Sequence, residues 1–144
     1  MKRFVLDASA ILKAFFPDEE GQAASQALLG DWVKDRVEII APSLLFLEVT
    51  NAVLVALRRE RISKKRAYEI IHAVNGLSIP IGDSPEVEEI FELAIEHNLS
   101  AYDATYAALT TKQFTLITGD KKLYEALKKE RKVMWIEDYK GAGV

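Results

Sequence analysis

The chain has 144 residues, carries 19 Lys and Arg against 22 Asp and Glu, and contains no cysteine. That length fits one domain able to bury roughly 68 to 70% of the surface its unfolded chain exposes, while the missing cysteines exclude disulfides, thiolate metal sites and cysteine nucleophiles. The net charge of -3 excludes binding to nucleic acid or membranes driven by bulk charge alone, and 49% hydrophobic with 28% charged residues excludes a disordered or fibrous chain.

The opening "MKRFVLDASAILKAFF" imitates a secretory leader, but Asp7 and Lys13 break its apolar stretch well short of the roughly 7 to 15 residues required. No run reaches the ~18 apolar residues that would span a bilayer. The expectation is a soluble cytoplasmic protein with no membrane partner. "RFVLD" (3–7) reads as a strand, and "SAILKAFF" and "GQAASQALLGDWVKD" read as helices on either side of Pro17. "VEIIA" (37–41) is a second strand, followed by a long helix over 43–60 with Ser43 as N-cap. The segment 63–76 opens on Ser63 and closes on Gly76, which predicts a helix with both end signals. "LSIPI" (77–81) is a weak strand, 84–98 a helix with Pro85 at its first position, and "SAYDATYAALTTK" (100–112) another helix with Ser100 as its cap. "FTLIT" (114–118) is the clearest strand, "KKLYEALKKE" a helix, and "KVMWIE" (132–137) a last strand. Strands alternating with helices predict βαβ units, hence a three-layer α/β/α sandwich with a small, mostly parallel sheet, formed as a single domain over residues 1–144. Sites in such folds lie beyond the C-terminal strand ends.

Four acids stand out against that frame. Asp7 ends the first strand, Asp103 opens a helix, and Asp120 follows the "FTLIT" strand through Gly119. Each could be a helix cap. Glu48 is different, because "LLFLEVTNAVLVAL" is apolar nearly all round and predicts burial. A buried carboxylate is costly unless a cation or metal pairs with it, and a salt bridge is the structural alternative. Asn51 shares a helical face with Glu48, and Ser9 and Thr118 each stand two residues from an acid, where they could orient carboxylates or serve as caps. Four carboxylates in one cleft would repel unless a cation neutralised them. Hard ions such as Mg²⁺ or Mn²⁺ suit all-oxygen donors. His72 and His97 lack the company of a zinc site and read as structural.

The segments "FVLDASAIL", "LFLEVTNAV", "LSAYDATYAAL" and "FTLITGDKKL", in this order, resemble the PIN-domain ribonucleases, most closely the VapC-like toxins of toxin-antitoxin pairs. The likeness runs over residues 3–136, practically the whole chain. It implies that Asp7, Glu48, Asp103 and Asp120 are metal-binding and catalytic, with Asn51 and Thr118 at supporting polar positions. It further implies Mg²⁺- or Mn²⁺-dependent hydrolysis of RNA leaving a 5′-phosphate and a 3′-hydroxyl, by one ion or by two roughly 3.5 to 4 Å apart, together with a homodimer and a cognate antitoxin. The surplus of large apolar residues on 43–60, from Leu44 to Leu57, suggests a groove or subunit contact. The basic cluster Arg58, Arg59, Arg61, Lys64, Lys65 and Arg66 is a candidate phosphate rail, and Lys121 and Lys122 adjoin Asp120. Competing readings are a housekeeping RNA-processing nuclease, a non-catalytic RNA-binding protein of the same fold, and an aspartate-based phosphatase. The phosphatase would want an acid where Ser9 stands.

Overall fold

The computed structural model describes residues 1–17, 20–130 and 132–143. Strands β1 (Lys2–Leu6), β2 (Val37–Ile40), β3 (Thr115–Thr118) and β4 (Val133–Trp135) pair in parallel in the order β2-β1-β3-β4. Both faces of the two central strands are covered, so their apolar residues are buried in succession, Phe4, Val5 and Leu6 in one and Leu116 and Ile117 in the other. Phe4 and Leu6 of β1 and Ile117 of β3 join one core, together with Ile11, Leu28, Leu45 and Ile70. Val5 and Leu116, pointing the other way, join a second core with Tyr106, Leu123 and Leu127.

The helices divide accordingly. On the first face lie α1 (Ala8–Leu12), continued by a 3₁₀ turn at Lys13–Phe15, then α2 (Gln22–Val33), α3 (Leu44–Arg58) and α4 (Lys64–Gly76). On the second lie α5 (Val87–His97), α6 (Ala101–Leu109) and α7 (Lys121–Leu127). The result is the expected three-layer α/β/α sandwich.

From β1 the chain crosses to β2 on one side, whereas β3 and β4 build outward on the other. Strand order therefore reverses between β1 and β3, the place where such sheets open a crevice at their C-terminal ends. Leu6 pairs with Ile117 at that point, and the Asp7 N–H donates to the Ile117 carbonyl at 3.3 Å. Asp7 and Thr118 thus leave neighbouring strands side by side.

Local expectations fare unevenly. Ser63 and Ser100 accept from the backbone N–H groups of Arg66 and Asp103, as helix caps do. Ser43 makes no such bond, having helical backbone angles of its own. Gly76 remains inside α4, and Ser78, with φ +51°, takes the left-handed turn that follows. Pro85 precedes α5, which begins at Val87. "LSIPI" is not a strand: it contributes a single bridge between Ala41 and Ile81, since Pro80 has no N–H for a ladder and only its carbonyl accepts, from Ala41. Among the described residues no helix is long and apolar enough to cross a membrane.

Candidate active site

Asp7 occupies the N-cap position of α1, yet its side chain caps nothing. Its Oδ2 instead accepts from the Ser9 and Thr118 hydroxyls, each at 2.6 Å. Those hydroxyls are themselves fixed: Ser9 Oγ accepts from the Gly119 N–H at 2.9 Å, and Thr118 Oγ1 from the Asp120 N–H at 3.0 Å. The carboxyl is 5% exposed. Burial raises its pKa to about 6; the hydrogen bonds from Ser9 and Thr118 oppose that rise, and the charges of Glu48 and Asp120 add to it. One oxygen is therefore held rigidly while the group faces like charges.

Glu48 emerges from α3, which is buried only along Leu45, Val49, Val53 and Ala56. Leu47 next to it is 73% exposed, so the expected all-round burial of this helix gives way to one covered face, and Glu48 is partly buried. Its partner is Tyr106 of α6, whose hydroxyl donates to Oε1 at 2.5 Å. Desolvation raises the Glu48 pKa first, the Tyr106 hydrogen bond lowers it, and Asp103 and Asp120 raise it further. Among the described residues the charges that shift it are thus those of two other acids. The sequence assigns Tyr106 no role; the available signal is its position three residues after Asp103, on the same helical face.

Asp103 sits in the first turn of α6, with Ser100 as cap. Burial raises its pKa, Asp120 adds to this, and Lys122 opposes it. Asp120 caps α7 with Oδ1, which accepts from the Leu123 N–H at 3.2 Å. Capping uses one oxygen and leaves the other open, so the cap does not preclude a ligand role. Mutual electrostatic influence links all four acids. Of the supporting positions, Ser9 and Thr118 bind Asp7 directly, whereas Asn51 is exposed and makes no hydrogen bond to an acid among the described residues.

A fifth acid shows what the pocket does differently. Asp31, far along α2, also accepts from a tyrosine hydroxyl, that of Tyr139 at 2.5 Å. That hydrogen bond lowers its pKa, with Arg36 assisting. Desolvation raises the pKa of Asp7, Glu48 and Asp103, and like charges add to it; Asp31 has a cation beside it instead.

Among the described residues no three of the acids bring one oxygen each within 4.8 Å of one another, as expected of carboxylates that repel. An open arrangement of oxygen donors fits Mg²⁺ or Mn²⁺, since Mg²⁺ is commonly held through one or two carboxylates and several waters. Beside it lies a cleft of about 290 Å³ lined by Ser9, Leu12, Lys13, Phe16, Ala52, Arg61 and Gly119. Arg61, from the predicted basic cluster, stacks over Phe16 at 4.9 Å. The Lys13 stem passes so close to Gly119 that a Cβ there would require it to shift. Arg66, by contrast, binds the Phe15 carbonyl and Glu69.

Known proteins resemble this chain in sequence and in fold. The family model "PIN domain" matches residues 4–129. The chain is 33% identical over 128 residues to "Ribonuclease VapC1" of Mycobacterium tuberculosis, covering 88% of this chain and 92% of that protein. It is 29% identical to "Ribonuclease VapC3" of Pyrobaculum aerophilum, over 85% of this chain and 93% of that one. The crystal structure of PAE2754 from Pyrobaculum aerophilum superposes with a TM-score of 0.70 at 24% identity, over 94% of this chain and 90% of its own, a likeness of fold.

Proposed function

The chain belongs to the PIN domain family, and from that premise we propose that it is a Mg²⁺- or Mn²⁺-dependent endoribonuclease, the toxin of a toxin-antitoxin pair, built as a single nuclease domain over residues 1–144. One observation carries the reading: Asp7, Glu48, Asp103 and Asp120, from four separate parts of the chain, act electrostatically on one another at the switch point of the sheet. The relatives named ribonucleases support the same conclusion.

In this proposal the acids bind the ion. Asp7 offers the oxygen that Ser9 and Thr118 leave unused, and Asp120 the one its capping bond leaves unused. Tyr106 holds Glu48 in place by its hydroxyl. When bound, Mg²⁺ or Mn²⁺ supplies a water of lowered pKa and neutralises charge on the departing oxygen. Lys13 and Arg61, lining the adjoining cleft, and Lys122, whose charge reaches Asp103, meet the RNA phosphates.

The partners and setting belong to the same proposal: a homodimer, a cognate antitoxin and the cytoplasm. Val87, Phe91 and Ile95 repeat along one face of α5 at 81%, 64% and 67% exposure, which supports a contact between copies. An apolar groove between α3 and α4, lined by Val53, Leu54, Leu57, Tyr68 and Ile71, suits an antitoxin segment.

The test is cleavage of linear and circular RNAs by the purified protein with Mg²⁺ or Mn²⁺. Opening of the circles is expected, and complete loss in excess chelator with recovery on restoring the ion. Chelator-resistant cleavage, or circles left intact while linear RNA shortens from its ends, contradicts the proposal.

A further inference from the structure

Away from the acid pocket, His97 ends α5 with its side chain 4% exposed. Its Nε2 is the one buried side-chain polar atom without a hydrogen-bond partner among the described residues. It faces Glu96 Oε2 at 3.8 Å and Glu130 Oε2 at 3.6 Å. One ligand atom from each of the three lies within 4.8 Å of the other two. These separations are too long for hydrogen bonds. They are close to the spacing of ligands around a shared cation, since donors about 2.1 Å from a tetrahedral ion stand roughly 3.4 Å apart.

We propose that Glu96, His97 and Glu130 form a second metal site, selective for a divalent ion of the Zn²⁺ class. Three arguments carry it. An imidazole nitrogen prefers borderline ions such as Zn²⁺ over Mg²⁺, which distinguishes this site from the all-oxygen pocket. Two carboxylates balance the charge of a divalent ion, and both glutamates are more than half exposed, so water completes the coordination. His97 lies at the C-terminal end of α5, where the helix dipole favours positive charge. Lys112 and Lys132 share a groove with Glu130 and work against a bound cation, so the three donors must outweigh them.

The ion would tie the end of α5 to the turn following α7. Only Asn98, Leu99 and Ser100 separate His97 from α6, and Leu99 is buried. The tie therefore braces the helix that carries Asp103, without itself joining the reaction. His97 lacked the His or Cys neighbours that would have marked it in the sequence, because Glu130 is distant along the chain and both acids look like ordinary surface residues.

The test is titration of the full-length protein with Zn²⁺ by calorimetry, with Co²⁺ absorption as a spectroscopic check, in wild type, Glu130→Gln, His97→Ala and Asp7→Asn. Losing a direct ligand should cost at least what losing an outer neighbour of a ligand does, about 10- to 100-fold in affinity. The expected result is one Zn²⁺ equivalent retained in Asp7→Asn and weakened to that degree in Glu130→Gln. Glu130 is exposed, so its variant folds and remains decisive if His97→Ala does not. Absence of Zn²⁺ binding, equal affinity in Glu130→Gln and wild type, or loss confined to Asp7→Asn overturns the proposal. Because cleavage is not measured, the outcome is independent of the nuclease reading.

Discussion

Asp7→Asn is expected to lower RNA cleavage by a factor on the order of 10² to 10³ or more while making the metal-free protein more stable at neutral pH. Both effects follow from the same carboxylate. Burial, against the pull of the Ser9 and Thr118 hydroxyls, raises its pKa from 3.8 to about 6. In the unfolded chain it loses its proton near 3.8, so between those values the folded state binds a proton that the unfolded state has released. Stability from Asp7 is then fully present below about 3.8 and is lost as pH rises through about 6. A shift of about two units corresponds to roughly 3 kcal/mol at pH 7.5. Asparagine cannot ionise and is nearly the same size, but its NH₂ needs a partner, so the net gain should be about 1 to 3 kcal/mol. Glu48 and Asp103, also raised, add to the wild-type loss in the same direction. Denaturant unfolding in chelator at pH 5 and pH 7.5 checks this: wild type should lose more stability between the two than the variant. Equal losses, or full cleavage by the variant, would sink the argument.

Thr118→Val should be nearly as damaging to function, though it removes no charge. Thr118 is fully buried, and its hydroxyl donates to Asp7 while accepting from the Asp120 N–H, joining the two acids at the ends of β1 and β3. Valine keeps the shape and deletes both bonds. An unsatisfied backbone N–H costs about 1 to 3 kcal/mol, and loss of a group that orients a ligand typically costs about 10- to 100-fold in metal affinity or activity. Because this hydrogen bond lowers the Asp7 pKa, its removal also moves the acid limb of the pH-rate profile upward. Thr118→Ser, which retains the hydroxyl, should preserve most activity and the original profile. A valine variant with wild-type kcat/KM and an unmoved acid limb would show that the hydroxyl does not orient Asp7.

Much of the fold and the order of the acids were legible because each depends on short-range pattern. Short apolar runs such as the one ended by Asp7 are central strands of a parallel sheet, and a polar residue at such a strand end lies at the crevice. "LSIPI" misled because β-like composition says nothing about whether a neighbouring edge can supply hydrogen bonds; Pro80 allowed only one bridge. The α3 helix misled in another way. Its nearly all-round apolar pattern pointed to burial of Glu48, yet Leu47 is exposed and Glu48 lies only partly covered, since an apolar face left open resembles a buried one in sequence. The roles of Tyr106 and Lys13 were not legible because they depend on partners 58 and 106 residues away, Glu48 and Gly119, which local pattern cannot reveal.

The central claim is that four acids remote in the chain form one pocket for a divalent ion. Diffraction from crystals grown with Mn²⁺, recorded for its anomalous signal, tests it most directly. A peak bordered by Asp7, Glu48, Asp103 and Asp120, absent in Asp7→Asn crystals grown alike, is the expected result. Wild-type crystals with no peak among these carboxylates at saturating Mn²⁺, or with the four side chains turned apart from one another, would contradict the account.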